Sequence, residues 1–335
     1  MSESVVEARA VWQWWRYLAS EAKKRGSQVV RINIDETSVN LAIGATSRGA
    51  VAVDRKRASI LGPQVSLSKR RRCLTYISVI CDDERLQLRM PQLILSNEST
   101  VLVREAESIR THLSHNVELV RRKSAWCDEQ MFIQVLRKIR DGLKRQGRRL
   151  QPIVFFDAAR HHVSKLVLAS AYKLGIWPVT IPPNMTSILQ PLDTYVFANF
   201  KRELSEAAHR AHVWSEDGVS TVEFAKCLGA CIDQEVNKAS WSHAFDSNGF
   251  GLDRPISPRV LHELGVDSRD AEVASCRPSL DTVALCFPSR YSISAADIFG
   301  PLLGSSREDP SVLRRTGPLI LGRTRSMTRA LMATL

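Results

Sequence analysis

The chain has 335 residues, of which 44% are hydrophobic, so it is long enough for one large domain or two ordinary ones with a substantial core. Its 47 basic and 35 acidic residues give it a basic character that favours an anionic partner, most commonly nucleic acid. No run approaches the roughly 20 apolar residues of a membrane span, and no CxxC pair occurs among the seven cysteines, so we expect a soluble, intracellular protein with reduced thiols.

The first part of the chain predicts a helix followed by strands. Apolar residues at helical spacing predict a helix over 5–24, which Gly26 ends. A strand follows over 28–35. Residues 40–54 are expected to form a hairpin and residues 56–72 a basic loop.

The middle of the chain begins with the run CLTYISVIC at 73–81, whose β-branched and aromatic residues predict a buried strand. An acidic turn at 82–84 should lead into a return strand over 86–95. A polar helix is expected over 99–115. The apolar face of 128–146 predicts an amphipathic helix.

Alternating strands and helices continue after that helix. We predict a strand at 153–157, a helix at 164–174, a strand at 176–181, a helix at 192–212 and a helix from 221 to about 238. An early antiparallel pair followed by such units predicts an α/β fold, a mixed sheet with helices on both faces.

Three of the predicted strands deliver an aspartate to one edge of the sheet. Asp35 ends the strand VVRINID, Asp157 ends PIVFFD, and Asp193 ends the stretch IPPNMTSILQPLD that leads from a strand into a helix. Carboxylates are hard oxygen ligands, suited to Mg²⁺ or Mn²⁺. Phosphodiester chemistry benefits from two such ions about 4 Å apart. For any one aspartate alone, a turn or cap residue is the better interpretation.

Other polar residues lie near these aspartates. Glu36 should point to the opposite side of its strand from Asp35, so it is the weaker candidate. His162 either orients a ligand or contacts a phosphate, or it is an ordinary polar residue before a helix; for His161 we prefer the ordinary interpretation. Basic runs that could line a DNA channel, or be solvated faces, lie at 56–57, 69–72, 121–123 and 144–149.

Two further clusters are better explained by packing. His209, His212, Cys227 and Cys231 have spacings compatible with a zinc site, but separate positions on two helices explain them better. The tryptophans at 12, 14 and 15 should form a packing face.

The motifs resemble those of pogo-type transposases, which belong to the mariner-like superfamily of DDE endonucleases. IPPNMTSILQPLD, continued by TYVFANFKREL, is similar to the third catalytic block, NIDETSV to the first, and FFDAARHHVS to the second. The 35 residues between Asp157 and Asp193 suit that superfamily. The resemblance spans about 33–206.

This resemblance implies an RNase H-like fold and a catalytic, metal-binding set of Asp35, Asp157 and Asp193. It further implies two Mg²⁺ or Mn²⁺ ions, DNA as partner, cleavage and transfer of DNA strands, and a nuclear location. A homodimer is also considered, and no membrane and no small-molecule cofactor are expected. The corresponding domains are an N-terminal helix (1–27), the catalytic core (28–250) and an irregular or disordered tail (251–335).

The sequence departs from the family pattern in two places. Ala158 stands where the family commonly has Asn, which leaves the hydrogen bonding beside Asp157 open. The residues before Asp35 are too few for the family's N-terminal helix-turn-helix region. The alternative is therefore a domesticated, non-catalytic DNA-binding protein that retains the fold, and a third alternative is a degenerate reading frame.

Overall fold

A computed structural model describes residues 2–40, 73–144, 149–211, 214–215, 218–251, 255–269, 271–286, 297 and 302. The predicted hairpin (apart from residue 40), the predicted basic loop and most of the predicted tail lie outside the described residues. Residues 1–293 form one compact unit and residues 294–335 a second. All elements named below belong to the first unit.

A six-stranded mixed sheet forms the centre of this unit. Its strands are β1 (Gln28–Asn40), β2 (Cys73–Cys81), β3 (Gln92–Asn97), β4 (Val117–Arg122), β5 (Leu150–Asp157) and β6 (Trp177–Ile181). They lie in the order β4-β3-β2-β1-β5-β6. β2 is antiparallel to β1 and β3, whereas β5 is parallel to β1 and β6 to β5. A first strand between an antiparallel meander and two parallel strands is the RNase H-like arrangement, so the predicted fold class is confirmed.

Helices cover both faces of the sheet. The described helices are α1 (Glu3–Lys24), α2 (Glu84–Gln87), α3 (Val103–Arg110), α4 (Glu129–Leu143), α5 (Lys165–Lys173), α6 (Thr186–Leu189), α7 (Phe197–Arg210), α8 (Thr221–Cys231), α9 (Ser242–Phe245), α10 (Pro258–Leu264) and α11 (Leu280–Ala284). Neighbouring residues of β5 show the layering, because successive strand side chains point to opposite faces. Phe155 packs on Trp15 of α1, and Phe156 packs on Phe132 of α4.

Helix α1 is fixed to the sheet by its tryptophans, as the sequence predicts. Trp12, Trp14 and Trp15 are all buried. The Trp12 indole N–H donates to the backbone oxygen of Asn248 at 3.0 Å, and the Trp14 indole N–H donates to that of Pro178 at 3.1 Å. Buried indole N–H groups usually find such partners, and these two bonds connect the first helix to distant parts of the chain.

The predicted return strand over 86–95 begins later than expected. Residues 84–87 form α2 instead, because the Asp83 carboxylate accepts from the Arg85 backbone N–H and caps that turn. The Gln87 side chain then bonds back to the backbone of Cys81 and Val79. Only 92–97 is left to pair with β2.

The predicted helix over 99–115 is also too long. The helix α3 occupies its centre, and the edge strand β4, which the sequence analysis missed, follows it. In β4 the buried Val117 and Leu119 alternate with the exposed Glu118, a period of two that is typical of a half-buried strand.

The second half of the core follows the predicted order. Ser164 caps α5 by accepting from the Val167 backbone N–H, and Gly175 ends that segment at φ 69°. The predicted helix over 192–212 opens with a five-residue π-helical turn, Leu192–Val196, before α7. The helices α10 and α11 lie within the region predicted to be irregular. None of the described helices is long and apolar enough to cross a membrane.

Candidate active site

Asp35 and Asp157 lie level with each other on adjacent parallel strands. The register pairs Asn33 of β1 with Phe155 of β5. Two residues further along each strand, Asp35 and Asp157 therefore reach the same level and the same face of the sheet. Phe155 lies on the same face and packs against α1, and β1 also pairs with β2. The backbone that carries the two aspartates is therefore rigid.

Asp193 is brought to the same place by a buried asparagine. The Asn33 side-chain oxygen accepts from the backbone N–H of Leu192 at 2.8 Å, and its amide N–H donates to the backbone oxygen of Phe155 at 2.9 Å. Asn33 thereby fixes the first residue of the π-helical turn against β1 and β5. The next residue, Asp193, forms a side-chain hydrogen bond with Asp35.

The Asp35 carboxyl is buried and lies among other negatively charged groups. Its residue is only 8% exposed. This burial, and then the charges of Asp193, Glu36 and Asp157, raise the pKa of Asp35 well above its usual range. Desolvation and the charge of Asp157 likewise raise the pKa of Asp193, although Lys201 and the bond to Asp35 oppose this. The group therefore carries an excess of negative charge that favours a cation.

Asp157 is held on its other side by His162. Its Oδ1 atom accepts from the Ala159 backbone N–H at 3.1 Å and also forms a hydrogen bond with His162 Nδ1. Burial alone would raise the pKa of Asp157, but the histidine hydrogen bond and charge hold it below its usual range. Asp157 therefore stays ionised. Both of its hydrogen bonds among the described residues use Oδ1.

His162 bridges Asp157 to Glu36. Its Nε2 atom lies 3.0 Å from Glu36 Oε1. Burial lowers the pKa of His162, but the charge of Glu36 and hydrogen bonds with Asp157, Cys127 and Glu36 raise it well above its usual value overall. The ring therefore bridges the two carboxylates through its two nitrogens, and its raised pKa favours the protonated form. Phe132 packs on it with ring centroids 4.2 Å apart, so its orientation is fixed.

The structure resolves the hydrogen bonding beside Ala158. The Ala158 side chain is buried, and its backbone N–H donates to the Ile181 oxygen at 3.0 Å, continuing the pairing of β5 with β6. The Asp157 carboxylate takes its partners from Ala159 and His162 instead. The Asp157 carboxylate therefore has hydrogen-bond partners even though residue 158 is alanine.

The structure thus gathers all three predicted aspartates, and their catalytic and metal-binding roles stay predictions. Sequence reasoning missed the positioning contribution of Asn33 and the histidine bridge to Glu36. An isolated asparagine in an apolar strand was the only signal of the first. The second joins His162 to Glu36, which lies 126 positions away in the sequence, so no local pattern indicated it.

Of the basic runs, 121–123 lies wholly within the described residues and 144–149 lies partly within them. Arg121 donates to the backbone oxygen of Val101, and Arg122 pairs with Asp128. These two arginines are therefore engaged in structure. Lys144 pairs with Asp141. The runs at 56–57 and 69–72, and 145–148 of the last run, lie outside the described residues, as does His212 of the histidine–cysteine set.

The chain is similar to one described protein family. A model of the family described as DDE superfamily endonuclease matches residues 75–247, which is just over half of the chain. The match includes Asp157 and Asp193 and begins after Asp35. No curated protein sequence matches the chain.

Two solved structures are similar at a low level. The Mos1 transposase paired-end complex with left transposon end shows 13% identity and a TM-score of 0.38, over 74% of this chain and 63% of that one. A pre-cleavage Mos1 transpososome shows 12% identity and a TM-score of 0.37, over 74% and 64%. The chain spans less than two thirds of either. The family model alone decides the assignment: the chain belongs to the DDE superfamily endonucleases.

Proposed function

We propose that this chain is the catalytic core of a pogo-type DDE transposase, which cleaves DNA strands and joins them with the help of two Mg²⁺ or Mn²⁺ ions. The observation that carries the proposal is the meeting of Asp35, Asp157 and Asp193, delivered by β1, by β5 and by the turn that Asn33 fixes.

The residues fit divalent cations. Asp35 is buried, and the charges that raise its pKa are all negative. Such a set of carboxylates is costly unless a cation neutralises it. The three aspartates would hold the ions, which supply activation of the attacking oxygen and stabilisation of the leaving oxygen.

The other residues of the site would position these ligands. His162 keeps Asp157 ionised and bonds its Oδ1 atom. Asn33 places Asp193 beside Asp35. Exposure increases from Asp35 through Asp157 to Asp193, so the site opens to solvent at Asp193, where a phosphodiester could approach.

DNA as the partner is supported by the formal net charge of +12 and by the family. A basic protein gains affinity for DNA by neutralising phosphates and releasing counterions. Trp126 adds an aromatic surface, because it is 81% exposed and directly precedes Cys127 beside the site. A nuclear location is part of the same proposal.

The test is cleavage of supercoiled DNA in the presence of Mn²⁺. Wild-type protein should nick the DNA, and Asp157→Ala should reduce nicking to background and weaken Mn²⁺ binding in calorimetry. Asp141→Ala is the matched control, since Asp141 is an exposed acid on α4 that forms an ion pair with Lys144. Cleavage unaffected by Asp157→Ala would refute the site. Absence of Mn²⁺ binding with salt-sensitive DNA binding would support the non-catalytic alternative.

A further inference from the structure

A second group of ligand atoms lies beside Asp157, on the side of β1 opposite to Asp35. It consists of Glu36, Cys127, His161 and His162, and one ligand atom from each lies within 4.8 Å of the others. The four residues come from three separate segments: β1, the residue before the α4 cap, and the turn that follows β5. We call this group the Glu36–His162 cluster.

The ligand types differ from those of the three aspartates. A thiol, two imidazoles and a single carboxylate are the ligands that zinc takes in tetrahedral sites, whereas Mg²⁺ and Mn²⁺ prefer oxygen alone. We propose that the Glu36–His162 cluster binds one Zn²⁺ ion, separate from the ions of the aspartate site. The inference does not rest on the chain cutting DNA.

The hydrogen bonds of His162 suit a metal ligand. In zinc sites the second nitrogen of a ligating histidine usually donates to a carboxylate, which fixes the ring and its tautomer. Here His162 Nδ1 bonds Asp157, and this directs Nε2 towards Glu36 Oε1 at 3.0 Å. His161 Nε2 lies 3.9 Å from the same oxygen.

Zinc binding exchanges protons for the cation. The ion would bind His162 Nε2 and Glu36 Oε1 in place of the hydrogen bond between them, and Cys127 would release its thiol proton to solvent. No redox change is involved. With zinc bound, Asp157 still accepts from Nδ1, and the metal site therefore supports a carboxylate of the aspartate site.

The cluster is both preorganised and reachable. The His162 side chain is 1% exposed and held by Phe132, whereas the His161 side chain is 36% exposed. A cation can therefore enter past His161 and meet ligands that are already placed. The alternative is a histidine that only bridges two carboxylates, with no ion.

Cobalt substitution tests the proposal. The full chain, stripped with a chelator and titrated with Co²⁺, should bind one equivalent with the absorption of a thiolate–cobalt charge transfer, and Zn²⁺ should displace it. Cys127→Ser should abolish this band. Cys231→Ser is the matched control, because Cys231 is another buried free thiol and belongs to the other cysteine set considered above. No band in the wild type, or a band that survives Cys127→Ser, would overturn the proposal.

Two further variants remove ambiguity. His161→Ala changes a half-exposed side chain and should leave the fold intact, yet it should weaken Co²⁺ binding by at least about tenfold, since even indirect ligand partners contribute that much. Unchanged affinity would contradict the site. Asp193→Asn should keep the charge-transfer band while it removes DNA cleavage. A band retained in a protein that never cuts DNA would therefore uphold zinc binding while the proposed function failed.

Discussion

Replacement of Asn33 by alanine tests whether this residue positions Asp193. Asn33 is completely buried, and its two shortest side-chain hydrogen bonds satisfy the Leu192 N–H and the Phe155 oxygen. The alanine would leave both groups without that partner. A buried polar group left unsatisfied costs about 1–3 kcal/mol, so the free energy of unfolding should fall by about 2–6 kcal/mol. Because Leu192 precedes Asp193, Mn²⁺ affinity should fall as well.

The assay combines urea unfolding with Mn²⁺ calorimetry at a temperature where the variant is still folded. Asn116→Ala is the matched control, since Asn116 also donates to a backbone oxygen, that of Met90, and exchanges hydrogen bonds with Asn237 far from the site. The control should lower stability and leave Mn²⁺ affinity unchanged. If Asn33→Ala behaves like the control, Asn33 has no positioning role.

Three further predictions concern single side chains. Without divalent cations at neutral pH, Asp35→Asn should raise the melting temperature. The reason is that a carboxyl whose pKa is raised in the folded state destabilises the protein as pH rises through that pKa. The gain should vanish in acid, and a lowered melting temperature at neutral pH would contradict the prediction. His162→Ala should lower the free energy of unfolding by about 3–5 kcal/mol, because Glu36 and Asp157 lose their shared partner. Urea unfolding should show the full loss below a pH of about 6.5. The loss should shrink as pH rises through the raised pKa of His162. Trp126→Ala should weaken single-stranded DNA binding by about 1–3 kcal/mol without altering stability, as titrations and melting curves would show.

Regular periodicity was enough to predict most of the sheet and its main helices. The strands β1, β2, β5 and β6 are apolar runs whose order indicates the mixed sheet, and the capping residues Ser164 and Gly175 act as their chemistry suggests. Short helices were harder to predict from the sequence. The helix α2 depends on Asp83 and on Gln87 reaching β2, which are tertiary contacts that a local pattern does not contain.

The candidate site, too, was predictable only in part from the sequence. Apolar runs and the family motifs led to the three aspartates. The prediction that Asp35 ends its strand was wrong, because pairing with β2 continues β1 to Asn40. The side-chain partners could not be predicted, since Asn33 binds Leu192 across 159 positions of sequence and His162 binds Glu36 across 126. Such pairs follow from the register of β1 with β5, which only the folded chain defines.

The attachment of α1 has a consequence for synthesis of the protein. Trp12 meets its partner Asn248 only after 236 further residues have been made. At about 5–20 residues per second, that takes on the order of 10–50 s. Trp15 and Trp14 gain their partners Phe155 and Pro178 earlier in synthesis, so within this interval Trp12 waits longest. The packing of α1 can therefore be completed only after the segment around Asn248 has left the ribosome.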